Sequence, residues 1–125
     1  MGELKQDIAE WLAHTRARTL ALYAPLREAE LERPRDGCLG PMLWDLGHIA
    51  AFEELWIVHK AGGGPLERPD RLDMYDPFEV PRPEREEQPL PGLDGTLAYL
   101  ERTRRRTLEV LERADFLTVH TPLTP

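Results

Sequence analysis

The most apolar run of the sequence is Pro41-Met-Leu-Trp-Asp-Leu-Gly-His-Ile-Ala-Ala-Phe-Glu-Glu-Leu-Trp-Ile-Val58. Its large side chains recur at helical spacing and form two faces: Trp44, His48, Phe52 and Leu55 on one, and Met42, Leu46, Ile49 and Trp56 on the other. A helix that is apolar on two sides is expected to pack against neighbours on both. The run therefore predicts a central helix, with one imidazole in the middle of a hydrophobic face.

His48 has two interpretations from spacing alone. It is either a core or half-exposed histidine held by a hydrogen bond, or a metal ligand, since neutral imidazole is the commonest metal-binding side chain. A single imidazole does not hold a metal tightly, because three or four ligands are usually needed. The second interpretation therefore requires partners from elsewhere.

Composition limits the class of protein. The chain has 125 residues and a formal net charge of −7, which predicts one domain over residues 1–125 and argues against nucleic acid or an anionic membrane as partner. The run Arg104-Arg105-Arg106 is interpreted as a solvated helix face. Cys38 is the one cysteine, so no intrachain disulfide forms, which fits a cytoplasmic protein.

Two further helices flank the central one, which is expected to run from about Pro41 to Ala61. The first is predicted from Leu4 to Tyr23, and its apolar face is expected to contain Ile8, Leu12, Thr15, Thr19, Leu22 and Leu26. The third is predicted from Asp94 to Ala114, with Asp94 as its N-cap and with a face of Leu97, Leu100, Arg104, Leu108 and Leu111. The sequence thus predicts an all-α bundle.

A proline-rich connection over residues 66–92 joins the second and third helices. Five apolar residues are expected to anchor it over the bundle: Leu72, Met74, Tyr75, Phe78 and Val80. Unless this connection or another subunit covers it, the central helix exposes apolar surface. On this ground we predict that the chain self-associates. Of the other histidines, His14 is interpreted as surface and His59 as a cation at the end of a helix. His120 is either a second ligand or, as we favour, part of a flexible tail.

Several segments resemble one known family. Residues 41–54 resemble the signature of the DinB-like domain that begins iron-dependent sulfoxide synthases of ergothioneine biosynthesis. Further segments agree in order: Arg18-Thr-Leu-Ala-Leu-Tyr23, Asp73-Met-Tyr-Asp-Pro-Phe78, and Pro89-Leu-Pro91 leading into Tyr99-Leu-Glu101. The resemblance spans nearly the whole chain and implies an up-and-down DinB-like four-helix bundle.

The resemblance also implies a non-haem iron held by three histidines, one of which matches His48. The other two form a pair four residues apart on a fourth helix. This sequence lacks that pair, because it stops at Pro125 where that helix is expected to begin. This sequence also does not contain the catalytic domain that follows in the family. We therefore expect it to supply only part of the ligand set for Fe(II) or another divalent transition metal.

Three functional hypotheses remain open at this point. The first is a self-associating DinB-like helical module without catalysis of its own. The second is a metal-binding module completed in trans, by another copy or by a separate polypeptide that carries the missing helix and catalytic domain. The third is a small metal-dependent thiol transferase of the broader superfamily.

Overall fold

The computed structural model describes residues 2–32 and 41–115, and these form an all-α fold. The elements in chain order are α1 (Gly2–Tyr23), α2 (Glu28–Glu32), α3 (Met42–Glu53), a π-helical continuation (Glu54–Ala61), α4 (Pro69–Met74), a 3-10 turn (Arg82–Glu87) and α5 (Leu93–Arg113). The three long helices lie where the sequence predicts them. No described helix has the length and apolar character of a membrane span.

The central helix lies against most of the other elements. α3 packs most extensively against α5, and it also contacts α2 and α4. The core combines these elements and consists of Leu31, Leu43, Trp44, Leu46, Ala50, Ala51, Tyr75, Tyr99 and Leu100. The prediction of a helix with neighbours on two sides is therefore confirmed. The segment ends as expected, with Gly63 in the left-handed conformation at φ 73°.

The proline-rich connection covers α3, as the sequence predicts for four of its five anchors. Tyr75 is fully buried and Val80 is nearly so, while Leu72 and Met74 are partly buried. The prediction is wrong for Phe78, which is 95% exposed. Asp76 Oδ1 accepts a hydrogen bond from the Phe78 backbone N–H at 2.8 Å, which holds a turn that directs the ring outward.

The packed face of α1 matches the predicted face only in part, because Ile8, Leu12 and Thr19 are half-buried but Thr15 and Leu22 are exposed. Leu22 is 76% exposed, whereas Arg16, Leu20 and Tyr23 pack inward. The reason is electrostatic, because the Arg16 guanidinium reaches Glu53 on α3 at 2.9 Å. The arginine therefore lies on the packed side of the helix, where the apolar pattern alone had not placed it.

The predicted N-cap of α5 is also wrong. The N-cap position is Gly92, which has no side chain to cap the helix. Glu28 of α2 supplies the acceptor instead, since its Oε1 receives the Leu93 backbone N–H at 2.8 Å. A residue 65 positions earlier thus does what Asp94 was expected to do.

The buried face of α5 is more polar than predicted. Leu100 lies in the core, but Thr96, Tyr99, Thr103 and Thr107 are the other buried residues, and Leu108 is 38% exposed. This buried face of α5 lies toward Glu53 of α3 and Glu54 of the π-helical continuation. Two of the buried hydroxyl groups, those of Tyr99 and Thr107, donate to these carboxylates, while the Thr96 hydroxyl donates to the Pro91 carbonyl.

Candidate metal site around His48

His48 lies half-buried on α3 and is fixed by a backbone hydrogen bond. Its Nδ1 is 2.8 Å from the carbonyl oxygen of Tyr75. A carbonyl oxygen only accepts, so Nδ1 carries the proton in the neutral ring and Nε2 keeps its lone pair. This is the arrangement that metal-binding histidines commonly use, with one nitrogen donating to a carbonyl and the other facing the metal.

Aromatic rings hold the imidazole from its own helix. The Trp44 ring stacks on His48 with 5.1 Å between centroids and 8° between planes, and the Phe52 ring lies 4.3 Å away on the next turn. Trp44 Nε1 donates to the Met74 carbonyl at 2.9 Å. Two rings of α3 are therefore tied to two consecutive carbonyls at the end of α4, which fixes both rings relative to the backbone.

Gly47 allows this close approach of the connection to α3. A Cβ at this position would lie 2.2 Å from the Tyr75 ring. The missing side chain therefore leaves the space that the tyrosine fills. Because the Tyr75 carbonyl is the partner of His48, the same glycine indirectly sets the orientation of the imidazole.

The charged groups near His48 come from α3 and from the 3-10 turn. Burial raises the pKa of Asp45, and the charges of Arg85, His48 and Arg82 partly offset this effect. The Arg85 guanidinium carbon lies 3.8 Å from the centroid of the Trp44 ring, within the range of a cation–π contact. Burial lowers the pKa of Arg85.

The ligand set at His48 is incomplete among the described residues. Within residues 2–32 and 41–115, no three histidine, cysteine, aspartate or glutamate residues are grouped so as to hold a metal ion. His14 is exposed on α1, and His59 is exposed with its Nδ1 bonded to the Gly64 carbonyl at 2.8 Å. His120 lies outside the described residues. Among the described residues, His48 is thus a candidate ligand without the further ligands that a metal centre needs.

A second polar cluster, which the sequence analysis did not identify, lies about one and a half helical turns beyond His48. Glu54 is 2% exposed, and its carboxylate accepts bonds from the Tyr99 hydroxyl at 2.7 Å, from Arg106 at 2.9 Å and from the Glu67 backbone N–H at 2.7 Å. Burial and the hydrogen bond to Glu54 raise the pKa of Tyr99 far above its ordinary value. The charge of Glu54 is therefore fully partnered inside the fold.

The neighbouring Glu53 forms the other half of the cluster. Its carboxylate accepts bonds from Arg104 at 3.0 Å, from Thr107 at 2.7 Å and from Arg16 at 2.9 Å. Burial alone raises the pKa of Glu53, but hydrogen bonds from Arg104 and Thr107 and the charges of Arg104 and Arg16 bring it below its ordinary value. The prediction that residues 104–106 form a solvated face is therefore wrong for Arg104 and Arg106.

Comparison with known proteins finds relatives of this chain among curated proteins. Three of them share the name hercynine oxygenase. The protein of Mycolicibacterium thermoresistibile is 34% identical over 114 residues, that of Mycolicibacterium smegmatis 35% over 113, and that of Mycobacterium tuberculosis 37% over 110. The alignments cover 85–87% of this chain but only 25–26% of the relatives. The chain thus spans about a quarter of the length of these relatives.

The family assignment rests on a match to the model of the DinB superfamily. This model matches residues 11–125, which include α3 with His48 and all of α5. The match agrees with the all-α architecture and with the resemblance carried by residues 41–54. This protein therefore belongs to the DinB superfamily.

Proposed function

We propose that this chain is a helical module that supplies one ligand, His48 Nε2, to a metal centre and has no catalysis of its own. The hydrogen bond from His48 Nδ1 to the Tyr75 carbonyl carries the proposal. It selects the tautomer whose free nitrogen can bind a metal, and it orients the ring without using a side chain that a ligand would displace.

The rigidity of the ring supports a ligand role over a merely structural one. His48 is stacked against Trp44 and packed against Phe52, and Trp44 is itself tied to the Met74 carbonyl. An imidazole that is already held in place loses little freedom on binding a metal. Iron is the metal that the family resemblance implies, and it would supply redox chemistry when bound.

The remaining ligands have to come from groups outside the described residues. They could reside in another chain or in further sequence joined to this one, in keeping with relatives of about four times the covered length. The oxygenase activity named for those relatives belongs to the longer proteins. For this chain we propose the role of a partial site within a related oxidoreductase.

The experiment is a titration of the chain with Co²⁺, followed by paramagnetic broadening of its nuclear magnetic resonances. A site with one imidazole binds weakly, and broadening detects weak binding. We expect broadening centred on the His48 ring and on the Trp44 indole N–H, with enhancement when free imidazole is added to complete the ligand set.

Two variants separate this site from unspecific binding. His48→Ala should abolish the broadening at Trp44. His59→Ala should leave it unchanged, although His59 lies in the same helical segment and also bonds a backbone carbonyl through Nδ1. Broadening at Trp44 that persists in His48→Ala, or a His48 ring protonated on Nε2 by its nitrogen-15 shifts, would refute the proposal.

A further inference from the structure

A ridge of side chains on the outer side of α1 has no explanation in the His48 site. Two of its members are among the most exposed large apolar residues described: Trp11 at 64% and Leu22 at 76%. Leu4, at 43%, lies on the same side of the helix. The ridge follows a regular helical order of spacings three and four: Leu4, Asp7, Trp11, Thr15, Arg18 and Leu22.

The ridge is complementary to itself when two copies run antiparallel. Opposing Leu4 with Leu22 of a second copy also places Trp11 opposite Thr15 of that copy. In the same register Asp7 comes within one residue of Arg18 of the second copy, an offset of about 1.5 Å along the helix axis. The leucines at the two ends of the ridge therefore lie opposite each other, and the oppositely charged residues between them lie close together.

A parallel pair has the opposite electrostatics. It would place Asp7 against Asp7 and Arg18 against Arg18, and like charges across an interface disfavour association. The antiparallel register also has the two-fold symmetry that most homodimers adopt, in which both copies use the same surface. Charge and apolar pattern therefore select the same arrangement.

We propose that this chain forms a two-fold dimer through an antiparallel α1–α1 contact along this ridge. The surface differs from the one that the sequence first indicated, because the proline-rich connection covers α3 while α1 leaves its ridge open. The proposal does not depend on the role of His48. A contact along one helix is smaller than the ~800 Å² per partner of a standard interface, so the dimer is weak and depends on concentration.

The experiment measures the mass of the full chain by sedimentation equilibrium between about 10 and 500 μM, with a chelator present so that metal plays no part. We expect a reversible increase above 14.4 kDa toward twice that mass. Trp11→Glu should keep the chain monomeric. Phe78→Ser should leave the dimer unchanged, because Phe78 is even more exposed than Trp11 but lies off the ridge.

Charge exchange tests the register itself. Asp7→Arg and Arg18→Asp should each weaken the dimer about tenfold, and the double variant should return to within about threefold of the wild type. All variants are checked for unchanged helicity by circular dichroism. A wild type that stays monomeric, a dimer that persists in Trp11→Glu, or a double variant no better than the single ones would overturn the proposal.

Discussion

The imidazole of His48 and the backbone carbonyl of Tyr75 are joined by a 2.8 Å hydrogen bond that spans 27 residues of sequence. It connects the most apolar helix of the chain to the proline-rich connection that covers it. One bond thereby fixes the tautomer of the candidate ligand and anchors the segment after α4. The candidate site and the stability of the covering segment are therefore linked.

Removing the Trp44 ring tests whether the face that carries His48 is core. Trp44 is 1% exposed and also donates to the Met74 carbonyl, so Trp44→Ala should lower the free energy of unfolding by about 3–5 kcal/mol. Chemical denaturation measures this change. Phe78→Ala is the control on an exposed surface, since Phe78 is 95% exposed, and it is expected to change stability by less than about 0.5 kcal/mol. A loss below about 1 kcal/mol for Trp44→Ala would contradict the assignment to the core.

Gly47→Ala should disturb the contact between α3 and Tyr75. The added Cβ would lie 2.2 Å from the tyrosine ring, so the ring has to move, at a cost of about 1–3 kcal/mol in unfolding free energy. Gly95→Ala on α5 is the control, since its Cβ would come no closer than 3.3 Å to Pro91 and should stay within about 1 kcal/mol of wild type. Equal stability of the two variants would mean that Tyr75 does not pack there.

Glu54→Ala should be strongly destabilising because it removes the shared acceptor of a buried cluster. The Tyr99 hydroxyl, the Arg106 guanidinium and the Glu67 N–H would lose their partner, at a cost of about 3–5 kcal/mol. Glu67→Ala breaks a more exposed pair with Arg102 and should cost about 1 kcal/mol or less. Denaturant unfolding of both variants measures the difference, and similar losses would contradict the predicted burial.

The low pKa of Glu53 predicts loss of stability in acid. Because the folded-state pKa lies below the ordinary value of 4.5, Glu53 adds stability above that value, and this stability is lost as the pH falls through the folded-state pKa. Unfolding free energies measured from about pH 7 to about pH 3 should decline less steeply in Glu53→Gln than in wild type. Glu109→Gln, at an exposed position of α5, should retain the wild-type slope. Parallel curves for wild type and Glu53→Gln would contradict this account.

The start of α5 offers a direct comparison between the cap expected from sequence and the cap found. Glu28→Ala should destabilise the chain by about 0.5–2 kcal/mol, because the Leu93 N–H loses its acceptor. Asp94→Ala should have an effect of less than about 0.5 kcal/mol, since Asp94 provides no cap. Thermal unfolding of both variants decides between them, and the reverse order would restore the sequence-based assignment.

Much of the architecture could be predicted because it depends on local patterns. The period of apolar residues located all three long helices within about two residues, and glycines and prolines marked the ends of the second. The face of Trp44, His48 and Phe52 was correct for the same reason, since residues four apart on one helix meet in any helical fold.

The errors concern partners that lie far apart in sequence. Arg104 and Arg106 were interpreted as part of a solvated face, but they reach Glu53 and Glu54, 51 and 52 residues away. The cap of α5 was assigned to an adjacent residue because capping rules are local, and a distant glutamate took that role. A hydrophobicity pattern does not indicate which charged residue will pair with a given carboxylate.

By itself, the sequence determined the helices, the apolar central segment, the histidine within its aromatic face and the membership of the DinB superfamily. Only the tertiary structure decided the proton position on His48, the burial of Glu54 and the side of α1 that stays open. Helical periodicity fixes the directions in which side chains point. Which groups they meet depends on how separate helices pack, and there the balance between desolvation and pairing selects the partners.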